Sequence, residues 1–98
     1  MVLRSEELPA LPGALEAAEA GIRTGGDQRN RAFAAAALDV GPASDRALAL
    51  GFDPQTAGGL LISLPEDRGP VLETTFASAG VFLARVGRVE AGSGVALE

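Results

Sequence analysis

Cysteine, histidine, lysine, tryptophan and tyrosine are all absent from these 98 residues, and all eight basic side chains are arginine. Each absence removes a chemistry. Without cysteine there is no disulfide framework, no thiolate nucleophile and no thiolate-bound zinc or iron–sulfur cluster. Without histidine there is no Ser–His or Cys–His pair and no imidazole ligand. Without lysine there is no Schiff base and no Walker-type phosphate lysine. Carboxylates, guanidinium groups, hydroxyls and backbone amides remain, which permits an independent enzyme but excludes most familiar catalytic centres, and no catalytic residue is assigned within this chain.

Basic charge is also scarce. Thirteen acids against eight arginines leave a net charge of −5. A nucleic-acid binder needs a basic stripe to neutralise phosphates, and the arginines are instead scattered from Arg4 to Arg88. No apolar run approaches the ~20 residues that span a bilayer, and the opening Met1–Gly13 stretch has no apolar signal-peptide core. The expectation is a cytoplasmic protein with no nucleic-acid and no membrane partner.

What is present describes a folded chain. It is 47% hydrophobic and 21% charged, a globular balance. Its length suits a single domain over residues 1–98 with a small core. Val2-Leu3-Arg4 reads as a first strand. Leu11, Ala14, Leu15 and Ala18 recur at helical spacing, which predicts a helix over Pro12–Ala20 closed by Gly21. A Gly25-Gly26 turn leads to a second, alanine-rich helix over Gln28–Leu38 with Asp27 as its N-cap. Ser44 caps a third helix running to Leu50.

Leu60-Leu61-Ile62-Ser63-Leu64 is almost wholly apolar and reads as a strand buried on both faces. Pro70 opens a helix to Ala79 that turns Val71, Leu72, Thr75, Phe76 and Ala79 inward. Val81–Val89 reads as a strand, and Val95–Leu97 as a last short one. Leu60–Leu64, helix and Val81–Val89 have the spacing of a right-handed crossover unit. The expected fold class is α+β, an α/β layer with a small mixed sheet of about four strands and helices mainly on one face. The four phenylalanines are expected in the core.

Two glycine-bearing loops are candidate sites. Thr24-Gly25-Gly26-Asp27-Gln28-Arg29-Asn30 opens a helix, where free amides and the helix dipole favour an anion. An Asp27 N-cap would occupy those amides and repel a phosphate, so a plain capped helix start after a turn is the favoured reading of the stretch. Asp53-Pro54-Gln55-Thr56-Ala57-Gly58-Gly59 feeds a strand rather than a helix, so it is not a Walker loop. It is either a tight turn or a place of close ligand approach. The neighbouring acids Glu6-Glu7 and Glu66-Asp67 do not face one another, and no metal site is assigned.

Read together, several stretches resemble one family. They are Leu8–Glu16, Ala20-Gly21-Ile22, Gly25-Gly26 with Asn30, Phe52-Asp53-Pro54-Gln55-Thr56-Ala57-Gly58-Gly59-Leu60-Leu61-Ile62, and Val86–Val89. Their order and spacing are similar to the C-terminal region of selenide, water dikinase (selenophosphate synthetase). The Asp-Pro-Gln-Thr-x-Gly-Gly-Leu-Leu run is its most specific element. The resemblance implies a PurM-like C-terminal domain of an enzyme that converts ATP, selenide and water to selenophosphate, AMP and phosphate with Mg²⁺.

In that family the ATP-binding domain, with its reactive Cys or selenocysteine, its Lys and its metal-binding aspartates, precedes this region. The resemblance therefore implies a domain lacking both that ATP-binding domain and the first helix of the C-terminal domain, with no cofactor of its own. Asp27 replaces the family's threonine and Ala57 its serine, so a neutral hydroxyl is lost at both places. Asn30, Thr56, Gly58 and Gly59 still match and are the candidate ligand-binding residues. The implied partners are a second copy of the chain or a separate ATP-binding domain. The alternatives are a stand-alone oligomerisation or interaction module, or a degenerate relative, reusing the fold, and a small domain binding a phosphate-containing ligand.

Overall fold

The computed structural model describes every residue from Met1 to Glu98. Its elements are β1 (Val2–Leu3), α1 (Ala14–Glu19), α2 (Asp27–Ala34), β2 (Leu38–Asp39), α3 (Asp45–Phe52), α4 (Gly69–Ser78), β3 (Gly87–Arg88) and β4 (Val95–Leu97). Single 3₁₀ turns cover Ser5–Glu7 and Glu66–Arg68. The four strands form one mixed sheet in the order β2-β4-β1-β3. β4 lies parallel to both β1 and β2, with Val2 opposite Ala96 and Leu38 opposite Val95. β3 runs antiparallel to β1, with Val2 opposite Arg88. The expected α+β class with a four-stranded mixed sheet is what the chain adopts.

Local chemistry explains the helix ends. Gly21 takes φ 80°, and the Gly21 and Ile22 amides donate to the carbonyls of Ala18 and Ala17 at 3.1 and 3.0 Å. That is the paired bonding of a Schellman ending, which satisfies two carbonyls the helix leaves free. Gly80 closes α4 in the same way, with Gly80 and Val81 donating to Ala77 and Phe76. Ser44 caps α3, its Oγ accepting from the Ala47 amide at 3.3 Å. Pro70 sits in the first turn of α4, where its missing donor costs nothing.

The core is small and made of alanine. α1 packs on α3, α3 also packs on α2 and on the Ser5–Glu7 turn, and Ala18, Ala47 and Ala49 are its buried apolar residues. Methyl side chains let these helices approach closely but bury little area each. α4 stands apart, packing chiefly on the Glu66–Arg68 turn that leads into it.

Several expectations are corrected. Leu60–Leu64 is not a strand: it pairs with nothing, and Leu60 is 89% exposed. Strand composition cannot make a strand without a neighbouring backbone to bond, so the crossover unit does not form. Of Val81–Val89 only Gly87–Arg88 forms strand, with a further backbone bond beyond it, the Val86 carbonyl accepting from the Arg4 amide at 2.9 Å. The second helix stops at Ala34, and Leu38–Asp39 becomes β2 because β4 presents a free edge beside it. Pro12 precedes α1 rather than lying in its first turn, α3 runs on through Gly51 to Phe52, Leu11 faces solvent, and of the residues expected inward on α4 Val71, Thr75 and Ala79 are exposed while Leu72 and Phe76 are half-buried. Phe33, at 92% exposure, and Phe82 also lie outside the core.

Candidate functional site

The two glycine loops meet. Asn30 Nδ2 donates to the Phe52 carbonyl at 2.8 Å, across 22 residues of chain. The Arg31 guanidinium carbon lies 4.7 Å from the centre of the Phe52 ring, within cation–π range. A Cβ on Gly26 would stand 2.6 Å from Pro54 Cγ, so only glycine lets the two loops come this close. Phe52 and Pro54 are thereby clamped against the start of α2.

That clamp depends on which face of α2 turns inward. Asp27, Asn30, Arg31 and Ala34 fall at i, i+3, i+4 and i+7, and these are the residues of α2 shielded from solvent. Three of the four are polar. Asp27 Oδ1 accepts from Arg31 Nε at 2.7 Å, and this bond, with the nearby Arg23 charge adding to it, holds the Asp27 carboxyl below its ordinary range. Asp27 Oδ2 is buried without a partner.

Asp27 does not cap α2, contrary to the expectation from its place after the glycine pair. Instead Gly26 holds the N-cap position, no side chain caps the helix, and Asp27 lies inside its first turn. Turning back to Arg31 takes the carboxylate away from the free amides. A cavity of about 190 Å³ lies beside it between α1, α2 and α3, walled by Ala14, Ala18, Ile22, Ala49 and Leu50.

Beyond Pro54 the loop is free. Thr56, Ala57, Gly58 and Gly59 are exposed, and none of the amides from Thr56 to Leu64 donates to a backbone carbonyl. Gln55 folds beside Gly58, while nothing stands within 4 Å of where a Gly59 Cβ would be. The four candidate residues thus divide into two places. Asn30 sits at the base, engaged with Phe52. Thr56, Gly58 and Gly59 lie at the open part, with one hydroxyl and a row of unengaged N–H donors. Such a row suits an anion with several oxygens.

Carboxylates do not gather anywhere into a group of three or more that could hold a metal ion. Neither Arg31 nor the Gly26–Pro54 contact is marked as part of a site by the sequence, and Phe52 enters only through its place in the Asp-Pro-Gln-Thr motif. The Asp27–Arg31 spacing of four was a legible signal for the ion pair, whereas nothing local marked Phe52 as its neighbour.

An α+β domain carrying an anchored, glycine-rich loop with free amides is the class that this fold and site define. No family model matches the chain. Among curated proteins it is similar to selenide, water dikinase of Pseudomonas straminea, with 42% identity over 91 residues, 91% of this chain and 26% of that protein. Selenide, water dikinase 2 of Peptoclostridium acidaminophilum is 34% identical over 89% of this chain and 25% of its own length. The Salmonella typhimurium selenide, water dikinase is 37% identical over 94% of this chain and 26% of its own. The chain is therefore homologous, over about nine-tenths of its length, to selenide, water dikinases, and spans about a quarter of their length, as their C-terminal region would. No helix is long and apolar enough to cross a membrane.

Proposed function

We propose that this chain serves as the C-terminal portion of a selenophosphate-synthetase activity, in which ATP, selenide and water yield selenophosphate, AMP and phosphate. The observation that carries the reading is the extent of the similarity, 42% identity across 91 residues, joined to an Asp53–Gly59 loop that stands open. The reacting groups are supplied by an ATP-binding domain elsewhere, and this chain alone turns nothing over.

Its own residues have a binding task. Thr56 Oγ1 and the Gly58 and Gly59 amides donate to the oxygens of a phosphate-bearing ligand. Asn30, through the Phe52 carbonyl, and Arg31, against the Phe52 ring, hold the root of that loop still. ATP brings the phosphates on which this loop would act. Mg²⁺ is held by the ATP-binding domain and not by these scattered carboxylates. The setting is the cytoplasm.

A chimera tests this. The matching quarter of the Pseudomonas straminea enzyme is replaced by this chain, and AMP release is followed with ATP, Mg²⁺ and selenide. Selenide-dependent AMP release from the chimera, with none from the 98-residue chain by itself, is the expected result. A folded chimera that binds ATP but makes no AMP would overturn the reading, as would turnover by the short chain alone.

A further inference from the structure

The cavity between α1, α2 and α3 has no part in the phosphate loop, yet a buried charge stands in its wall. Asp27 lines it and is only 8% exposed. Asp27 Oδ1 is taken by Arg31 Nε at 2.7 Å, whereas Oδ2 is shielded from solvent and accepts from no group of the protein. A carboxylate oxygen left without a donor in such a place is costly, so a donor brought to it is held strongly.

The rest of the wall sets the shape of what could bring that donor. Ala14, Ala18, Ile22, Ala49 and Leu50 contribute apolar side chains. At about 190 Å³ the space somewhat exceeds the ~150 Å³ that takes a benzene ring in an apolar protein cavity. It therefore suits a single small ring system, whose apolar body gains by leaving water.

The surrounding charges set the sign. Asp27, Asp53 and Arg23 line the cavity, and Arg31 stands on Asp27. Arg23 Nη1 is fixed there by the carbonyls of Ala18 and Ile22 at 2.7 and 2.9 Å. Two acids and two guanidinium groups balance. An ammonium ligand would meet Arg23 and Arg31, a carboxylate ligand would meet Asp27 and Asp53, and either would lose its hydration on entry. An uncharged molecule avoids both penalties and still offers a donor.

We propose that this cavity is a binding site for a small, uncharged ring compound carrying one N–H or O–H, which donates to Asp27 Oδ2 while the ring lies against Ala18, Ala49 and Leu50. Oδ2 reaches the ligand by a small turn about the Cβ–Cγ bond, a torsion with a broad profile. Arg31 holds the carboxylate through its other oxygen, so the site selects for the donor. Binding here is independent of the selenophosphate reading, and its readout involves no turnover.

Indole and benzofuran test it, since they share a shape and only indole has an N–H. Each is titrated into the 98-residue chain and followed by amide resonances. Indole should move the Ala18, Asp27 and Ala49 amides with a Kd of about 1 mM, as befits a ligand of its size. Benzofuran should bind at least about 10-fold more weakly. In Asp27→Asn the carbonyl oxygen stays on Arg31 and an amide group replaces Oδ2, so the two ligands should bind alike. Ala14→Leu fills the cavity from a half-buried wall position and should weaken both by about 10-fold or more, with an unchanged far-ultraviolet spectrum. Equal binding of indole and benzofuran by the unmodified chain, no binding of indole, or shifts centred elsewhere would each overturn the proposal. So would tighter binding of benzylammonium or benzoate than of indole, or undiminished indole binding by folded Ala14→Leu. A preference for indole that persists in folded Asp27→Asn would do the same, and should that variant not fold, the two ligands on the unmodified chain decide.

Discussion

Asn30 donates its side-chain amide to the main-chain carbonyl of Phe52 at 2.8 Å, and this one bond fastens the loop after α3 to the first turns of α2. Both partners are partly shielded from water, so the bond has more value than a surface one. Asn30→Ala leaves the carbonyl without its donor and should lower unfolding free energy by about 1–2 kcal/mol, read from urea denaturation. Asn30→Asp, which puts an acceptor against an acceptor, should cost at least as much.

The two adjacent glycines of the first loop should respond differently. A Cβ at Gly26 meets Pro54 Cγ at 2.6 Å, while one at Gly25 meets nothing within 4 Å. Gly26→Ala must push the Asp53-Pro54 turn away and should cost about 1–3 kcal/mol. Gly25→Ala should change stability by no more than about 0.5 kcal/mol. Thermal unfolding of the pair, side by side, checks whether the loops touch as described.

Acid should loosen the inner face of α2. The hydrogen bond from Arg31 holds the Asp27 carboxyl below its ordinary range. A folded-state value below the unfolded one means the pair stabilises the fold above about pH 4 and ceases to do so as pH falls through the folded value. Glu6, bonded by Ser44 and Arg46, moves in the same direction. The difference between wild type and Asp27→Asn isolates the first contribution. It should shrink steadily in denaturation curves taken from neutral pH into acid.

Ser44 has two roles at the start of α3. Its Oγ accepts from the Ala47 amide at 3.3 Å and donates to Glu6 Oε1 at 2.6 Å, joining the cap to the Ser5–Glu7 turn. Ser44→Ala should cost about 1 kcal/mol in unfolding free energy. Ser44→Asp should preserve the cap but set a carboxylate beside Glu6, and its stability should therefore improve as Glu6 is protonated.

The open loop should matter to ligand and not to fold. Thr56→Val removes a hydroxyl from an exposed position, so its effect on stability should stay within about 0.5 kcal/mol. In the chimera with the Pseudomonas straminea enzyme, losing one donor to a phosphate should lower kcat/KM by about 10- to 100-fold. Equal activity of Thr56→Val and the parent chimera would remove this residue from the site.

Much of the helical part was legible. The Ala14–Ala18 spacing, Gly21, the Ser44 cap and Pro70 all act within a few residues of chain, and such signals survive translation into structure. α2 was only half legible. Its alanines announce a helix, but its inner stripe is Asp27, Asn30, Arg31 and Ala34, so Phe33, expected in the core as an aromatic residue, lies in solvent. The Asp53–Gly59 motif pointed to the loop, while the residues that hold its root, Asn30 and Arg31, belong to another helix. Leu38–Asp39 became a strand because β4, more than fifty residues later, lies beside it.

What the amino-acid order determined by itself is therefore local or chemical: where helices start and stop, which reactive side chains are missing, and the motif that ties the chain to selenide, water dikinases. What only the tertiary structure decided is pairing. Leu60–Leu64 has every compositional mark of a buried strand and stays unpaired and exposed, whereas the two-residue Gly87–Arg88, with a poor strand composition, is in the sheet. The physical reason is that a strand's hydrogen bonds lie outside itself, so its existence depends on what backbone arrives alongside, whereas a helix satisfies its own.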